Sequence, residues 1–165
     1  PLNVHLMLTR PQDFVDRFVE AGADAIAIHV EADCDVSATL AAIRAHGIAA
    51  AVTVKPATPA EAVRPYLDQV SYVLVMTVEP GYGGQAFMSD MMPKVAAIRT
   101  MAGGDFDIMV DGGVNGKTAA VCAASGANLL VAGNSLFTAP DMKVGVEEMR
   151  HSAEEHWMKG APAGA

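Results

Sequence analysis

Six short apolar runs recur along this chain, and a segment with helical signals separates each run from the next. Most runs are continuous rather than alternating and are rich in Val, Ile and Leu, which is typical of strands buried on both faces. An alternation of strands and helices predicts a parallel sheet. The predicted strands are residues 3–8, 25–30, 49–54, 72–77, 107–111 and 128–132, and the predicted helices are residues 11–21, 36–46, 59–67, 89–102, 115–125 and 140–157.

Several helix boundaries carry signals of their own. Gly22, Gly47 and Gly126 each follow a predicted helix and precede a predicted strand. Glycine at such a position readily adopts the left-handed conformation that ends a helix. The segment Thr58-Pro59-Ala60-Glu61 predicts an N-cap, a first-turn proline and a capping-box glutamate at the start of the third helix.

Six βα units fit two architectures, a doubly wound open sheet and part of a (β/α)8 barrel. A complete eight-unit barrel needs about 250 residues, whereas this chain has 165. We therefore expect an α/β fold that is incomplete if it is a barrel. No linker or low-complexity segment interrupts the pattern, so the chain is predicted to be a single domain over residues 1–165, with a flexible tail at 158–165.

The composition disfavours several classes of function. Hydrophobic residues make up 52% of the chain and aromatic residues only 5%, so the predicted core is aliphatic. A net charge of −8 disfavours binding to a phosphodiester backbone. No apolar run approaches the ~18 residues of a membrane span, and no secretory signal is visible. From the charge and the absence of a long apolar run, we expect a protein that binds neither nucleic acid nor membrane. Because Cys34 and Cys122 form no metal or redox motif, we also expect a cytoplasmic protein with reduced thiols.

Glycine-rich segments follow two consecutive predicted strands. In VDGGV (110–114) the strand ends on Asp111 and two glycines follow, and in VAGNSLF (131–137) the strand leads into Gly133 and Asn134. Backbone N–H groups in such turns can approach an anion closely, and the loops after the last two strands of a (β/α)8 barrel commonly hold a phosphate. The pair predicts a phosphate site beside Asp111; a capping aspartate and two ordinary turns are the structural alternative.

A third glycine-rich segment, VEPGYGGQAF at residues 78–87, follows the fourth strand. Its glycines, Gly81, Gly83 and Gly84, allow a loop to move as a lid and to offer backbone amides to a ligand. A plain connecting loop is the alternative, although such a loop rarely combines this glycine density with aromatic residues.

The first strand contains a histidine within an apolar run. A single histidine such as His5 is more often a core residue with satisfied hydrogen bonds than a ligand, and its neighbours do not decide the question. His29 ends the second strand just before Glu31 and is a weaker candidate for a site. Met7 and Met76 are the two methionines most suited by position to face a pocket.

Together these motifs resemble those of the ribulose-phosphate 3-epimerase family. The matching segments lie within residues 2–150 and follow the family's order: VHLML, AIHVEA, KPAT, VMTVEPGYGGQAFM, MMPKV, VDGGV and VAGNSLF. The resemblance implies a (β/α)8 barrel and an isomerase of carbohydrate metabolism that acts in the pentose phosphate pathway. Such an enzyme interconverts D-ribulose 5-phosphate and D-xylulose 5-phosphate by moving a proton at C3 through an enediolate.

The resemblance also implies roles for individual residues. His5 resembles a metal-ligand histidine of the family, and Asp111 resembles an aspartate that is both a metal ligand and an acid/base group. Met7 and Met76 resemble methionines packed beneath the reacting carbons. Substrate or phosphate contacts are implied for Gly81, Gly83, Gly84, Gly112, Gly113, Gly133 and Asn134. The cofactor would be one divalent metal ion, Zn, Fe, Mn or Co, and the partner a small sugar phosphate, in a possible homo-oligomer.

Relative to the family, we expect two βα units to be missing before residue 1, together with the other His and Asp ligands and the second catalytic aspartate. The chain alone is therefore expected to be catalytically incomplete. Two alternatives stay open: a 3-epimerase of another ketose phosphate, and a phosphate-binding fragment without turnover. A lyase of the same superfamily is disfavoured because residues 3–8 lack the lysine and aspartates of its Asp-x-Lys-x-x-Asp motif.

Overall fold

The computed structural model describes residues 1–157, and these residues form a single parallel sheet of six strands. The strands are β1 (Asn3–Leu6), β2 (Ala25–His29), β3 (Ala49–Val54), β4 (Tyr72–Met76), β5 (Asp107–Asp111) and β6 (Leu129–Val131). Each strand pairs with the next along the chain, in the order β1-β2-β3-β4-β5-β6. A doubly wound sheet reverses its strand order at a switch point, so this unbroken order identifies a barrel-type sheet. All six predicted strands are confirmed.

The connections between strands contain the helices. In the described part of the chain these are α1 (Val15–Glu20), α2 (Val36–Ala45), α3 (Met92–Ala102), α4 (Gly116–Ala124), α5 (Asn134–Phe137) and α6 (Met142–His156). Three 3₁₀ segments accompany them, at Pro11–Asp13, Ala60–Tyr66 and Ser89–Met91. None of the helices in residues 1–157 is long and apolar enough to cross a bilayer. The predicted tail at 158–165 lies outside the described residues.

A hydrogen bond between two distant strands shows how strongly the sheet curves. The Tyr72 hydroxyl on β4 donates to the side-chain oxygen of Asn3 on β1 over 2.6 Å. These strands are three steps apart, which in a flat sheet would separate them by roughly 14 Å. A tyrosine cannot reach that far, so β1 and β4 approach each other across a concave face.

The two faces of the curved sheet have different side chains. One apolar cluster joins the strands to the helices and includes Ile26, Ile28, Leu40, Ile43, Val52, Val73, Val95 and Ile98. A second cluster lines the concave face and includes Ala25, Ala27, Ala51, Tyr72, Leu74 and Met76. Large aliphatic residues thus pack the helices against the outer face, whereas small buried residues of β2 and β3 lie on the concave face. Period-two alternation along each strand produces this division.

The start of the third helical region differs from its prediction. Thr58 does not cap a helix and Glu61 closes no capping box, because the segment begins after Pro59 without a side-chain cap. The Thr58 hydroxyl instead donates to the Glu31 carboxylate. Pro65 lies inside the segment, and proline lacks the N–H that a regular α-helix requires. The short helix α5 was also not predicted.

The glycine helix ends are confirmed. Gly22, Gly47 and Gly126 have φ values of 96°, 77° and 104°. At Gly126 a side chain would also have no room, because its Cβ would lie 2.9 Å from the Cβ of Arg99. The buried Arg99 guanidinium donates to the Gly126 carbonyl and to three carbonyls of the α3–β5 connection. This close packing fixes the entry of the chain into β6.

β1 and β6 are the two edges of the described sheet, and within residues 1–157 neither has a second strand beside it. Exposed apolar side chains lie at these edges, with Leu2 60% exposed and Val131 37% exposed. An unpaired apolar edge is a template for pairing with another chain. We therefore expect residues 1–165 to self-associate through their edges.

The double variant Leu2→Lys with Val131→Lys should shift this association towards monomer, because lysine at an edge discourages strand pairing. Size-exclusion chromatography with light scattering over a range of concentrations measures the change. Val144→Lys is the matched control, since Val144 is similarly exposed (45%) but lies on α6. Equal association of the double variant and the unmodified chain would contradict the expectation.

Candidate active site

A cleft of about 370 Å³ opens where β4, β5 and β6 end. Every site residue predicted from the sequence except His5 lines it: Met7, Met76, Gly81, Gly83, Gly84, Asp111, Gly112, Gly113, Gly133 and Asn134. The carboxyl ends of parallel strands meet at one edge of a sheet, and this explains why residues so far apart in sequence converge. Such an edge is where ligands bind in barrels of this type.

Asp111 is the last residue of β5 and lies beside Met76 of β4 and Val131 of β6 in the strand register. Burial raises the pKa of its carboxyl group above the usual value. Among the described residues that line the cleft it is the one carboxylate. A half-buried carboxyl with a raised pKa is better suited to exchange a proton near neutral pH than an exposed aspartate.

Thr77 holds the end of β5 in place. Its buried hydroxyl donates to the Gly112 carbonyl over 2.6 Å, and its backbone N–H donates to the Asp111 carbonyl over 2.8 Å. Its own carbonyl accepts from the Met88 N–H. Thr77 therefore connects the end of β5 to Met88, where the chain leaves the loop over residues 78–87.

Two glycines after Asp111 allow that loop to pack closely. Gly112 and Gly113 have φ values of +124° and +68°, which side chains rarely adopt. A Cβ on Gly112 would lie 2.8 Å from the backbone nitrogen of Val78, and one on Gly113 would lie 2.7 Å from that of Phe87. The sequence prediction attributed these glycines to anion access. The structure shows a further reason, which is that they lie against the two ends of the loop.

Residues 78–87 form a loop over the cleft. The Gln85 side-chain amide donates to the carbonyls of Glu79 and Tyr82, so the loop carries internal hydrogen bonds. The Tyr82 side chain is 85% exposed at its tip. The ends of the loop are packed on glycine while its tip projects into solvent, an arrangement suited to a lid.

The far wall of the cleft is formed by residues that follow β5 and β6. The Ser135 hydroxyl donates to the Val114 carbonyl over 2.7 Å and joins the turn after β5 to the first turn of α5. Gly133 precedes α5, and Asn134 is its first residue. No lysine or arginine occurs among the described lining residues. An anion here would depend on N–H groups.

His5 lies outside this cleft, in a chain of three side chains that starts on β1. Its Nε2 is 2.8 Å from Nε2 of His29, and Nδ1 of His29 is 3.2 Å from Oε2 of Glu31. Glu31 Oε1 accepts from the Lys55 N–H over 3.0 Å and from the Thr58 hydroxyl. Nδ1 of His5 is buried without a hydrogen-bond partner.

The pKa values of His5 and Glu31 are both shifted downward in this cluster. Burial, followed by repulsion from His29, lowers the pKa of His5 to about 4. Burial alone would raise the pKa of Glu31, but hydrogen bonds from His29, Thr58 and Lys55 outweigh it and lower the value to about 2. Near neutral pH the cluster therefore holds a neutral His5 and an ionised Glu31.

From the sequence, His29 was a weak candidate for a site and Glu31 was not a candidate. Both line a second cleft of about 300 Å³, which shares Met7, Pro80 and Gly81 with the first. The signal that was available is the spacing, because a His-x-Glu pair that ends a buried strand places both side chains on one face.

A divalent metal fits the described residues only in part. The unpartnered Nδ1 of His5 and the carboxylate of Asp111 are suitable donors. However, no group of three or more His, Cys, Asp or Glu that could hold a metal occurs within the part of the chain that the structure describes. Residues 1–157 therefore do not form a metal site by themselves.

Sequence comparison finds closely related enzymes. A family model described as the Ribulose-phosphate 3 epimerase family matches residues 1–137. The ribulose-phosphate 3-epimerase of Bacillus subtilis (strain 168) is 40% identical over 92% of this chain and 72% of its own length. Those of Eremothecium gossypii and Candida glabrata are 45% and 48% identical, over 92% and 83% of this chain and 63% and 55% of their own lengths. The chain thus spans 55% to 72% of these curated relatives.

Solved structures support the fold. KGPDC from Streptococcus mutans matches with a TM-score of 0.68 over 88% of this chain and 68% of its own, at 16% identity. The 3-hexulose-6-phosphate synthase from Salmonella typhimurium matches with a TM-score of 0.65 over 88% of this chain and 68% of its own, at 18% identity. At these identities the likeness establishes the barrel fold alone. The family model covers most of the described residues, and the curated relatives agree with it, so the chain belongs to the ribulose-phosphate 3-epimerase family.

Proposed function

We propose that this chain forms the phosphate-binding and proton-transferring part of a ribulose-phosphate 3-epimerase. The observation that carries the proposal is the position of Asp111, a carboxyl group with a pKa raised by burial, in the wall of a cleft that glycine-rich segments also line. Identities of 40–48% to ribulose-phosphate 3-epimerases support the choice of substrate.

Asp111 would exchange the proton at C3 of D-ribulose 5-phosphate. A C–H next to a carbonyl is weakly acidic, so its removal requires a positioned base. Burial makes the Asp111 carboxylate more basic than an exposed aspartate and keeps its protonated form accessible for the return step. Inversion at C3 also needs a second group on the opposite face, which we propose lies outside residues 1–157.

The substrate phosphate would lie against the turns after β5 and β6. Backbone N–H groups near Gly112, Gly113, Gly133 and Asn134 would hold it, and the Ser135–Val114 hydrogen bond would keep the turn after β5 against the start of α5. The loop over residues 78–87 would close on the bound sugar, with Gly81, Gly83 and Gly84 providing its flexibility. Met7 and Met76 would form an apolar surface beneath the reacting carbons.

A divalent metal ion, Zn, Fe, Mn or Co, would be shared between His5, Asp111 and ligands beyond the described residues. When bound, such an ion offsets negative charge that develops on a substrate oxygen. The unpartnered Nδ1 of His5 supports this role.

We propose a cytoplasmic location and, as the family resemblance implies, a homo-oligomer. A relative in Oryza sativa is described as a cytoplasmic isoform and is 42% identical, although a relative in Arabidopsis thaliana is described as chloroplastic. Both cysteines are free, consistent with a reducing compartment. The net charge of −8 argues against nucleic acid as a partner.

One observation favours a second candidate, a phosphate-binding chain without turnover. The described residues contain no complete metal cluster and a single carboxylate in the main cleft. We therefore expect residues 1–165 alone to show no epimerase activity, and activity to return when the N-terminal segment of the Bacillus subtilis relative is joined to this chain.

In that hybrid enzyme, Asp111→Asn should lower kcat for epimerisation of ribulose 5-phosphate at least about 100-fold, because an amide cannot exchange the C3 proton. A coupled assay for xylulose 5-phosphate measures the rate, and circular dichroism checks the fold. Asp68→Asn is the matched control at an aspartate remote from the cleft. A rate above about a tenth of the unmodified hybrid would exclude Asp111 as the acid/base group.

We expect backbone amides of the main cleft to bind the phosphate, and not Lys55, the cationic side chain of the second cleft. Titration of residues 1–165 with ribulose 5-phosphate should shift the amide NMR signals of Gly112, Gly113, Gly133 and Asn134. Lys55→Met should change the affinity less than about twofold, because Lys55 lines the second cleft and not the main one. Loss of most of the affinity in Lys55→Met, or shifts confined to the second cleft, would contradict this phosphate site.

A further inference from the structure

The two histidines that meet across β1 and β2 are hydrogen-bonded through their ring edges. Their Nε2 atoms are 2.8 Å apart, the ring planes differ by 28°, and the ring centroids are 4.9 Å apart. Two rings joined in line by a hydrogen bond of that length would have centroids roughly 5 Å apart. The contact between His5 and His29 is therefore a hydrogen bond in which one Nε2 donates and the other accepts.

The Glu31 carboxylate determines the direction of that hydrogen bond. An ionised carboxylate only accepts, and Oε1 of Glu31 already accepts from the Lys55 N–H and the Thr58 hydroxyl. Oε2 faces Nδ1 of His29, which must therefore carry a proton. A neutral imidazole has one N–H, so Nε2 of His29 accepts and Nε2 of His5 donates.

We propose that His29 and Glu31 are positioning residues that hold His5 in its Nε2–H tautomer and so leave the lone pair of its Nδ1 free. That Nδ1 atom is buried and has no hydrogen-bond partner among the described residues, as expected of an acceptor reserved for a ligand. The use of the lone pair as a metal ligand rests on the proposed function, whereas the tautomer itself follows from the hydrogen bonds made by a neutral His29. Carboxylate–histidine pairs commonly orient metal-binding groups in this way.

Glu31→Gln should move the proton of each of the two imidazoles to the other nitrogen of its ring. The Lys55 N–H is a fixed backbone donor, so the carbonyl oxygen of Gln at position 31 would face it and the NH₂ group would face His29. Nδ1 of His29 would then accept, its Nε2 would donate, and His5 would carry its proton on Nδ1. The free lone pair on Nδ1 would be lost without any change in the size of the side chain.

Nitrogen-15 NMR of histidine-labelled chain, residues 1–165, at about pH 8 distinguishes the tautomers, since this pH lies above the ordinary pKa of imidazole. The unmodified chain should show His5 protonated on Nε2 and His29 protonated on Nδ1. In Glu31→Gln both assignments should exchange. Because no activity is measured, the result does not depend on whether the chain is an epimerase.

Two control variants test whether the tautomers respond to the Glu31 carboxylate and not to any change in the structure. Thr58→Val removes one donor to Glu31 but leaves the carboxylate, so both tautomers should stay as in the unmodified chain. Glu61→Gln makes the same chemical change at an exposed position and should also leave them unchanged. If Glu31→Gln does not fold, the assignments in the unmodified chain still decide the question. His5 protonated on Nδ1, a doubly protonated His29, or unchanged tautomers in a folded Glu31→Gln would each overturn the proposal.

Discussion

At the end of β5 the main chain passes so close to the neighbouring loop that no side chain fits between them. Gly112 lies against Val78, and Gly113 lies against Phe87. This contact fixes both ends of the loop over the cleft, and the buried Thr77 hydroxyl reinforces it from the end of β4. The position of Asp111, the turn that follows it and the loop all depend on this one approach of backbone to backbone. It accounts for two adjacent glycines even where no ligand contacts them.

The curved sheet supplies the second constraint. Period-two alternation sends one set of side chains to the helices and the other to the concave face, and the contact of Tyr72 with Asn3 shows how close opposite strands come there. Along the concave face the residues change from alanine near the strand starts to ionisable side chains at the carboxyl ends, such as His29 and Asp111. The proposed chemistry is thus concentrated where the strands end.

Most of the fold and of the main cleft could be predicted from the sequence. Buried parallel strands read as continuous apolar runs, and the residues of the main cleft follow directly after those runs, so their convergence needs only the rule that parallel strands end together. The capping role of Thr58 was wrong because a tertiary hydrogen bond to Glu31 competes with the local cap. The family resemblance added roles that the residue types alone did not establish.

The pairing of His5 with His29 could not be predicted in the same way. In the sheet register His5 lies opposite Ala27, and His29 is the next concave-facing residue beyond it. Only the combination of register and curvature brings the two rings into contact, and neither can be predicted from the sequence of one strand. The same holds for Glu31, whose partners come from the segment after β3.

We propose that Asp111 exchanges the proton on C3 of a ketose phosphate. The position of deuterium in product formed in D₂O by the hybrid enzyme, read by proton NMR and mass spectrometry, tests this proposal. We expect deuterium at C3 and at no other carbon, with incorporation lost in Asp111→Asn. Epimerisation without solvent deuterium at C3, or deuterium placed at another carbon, would contradict it.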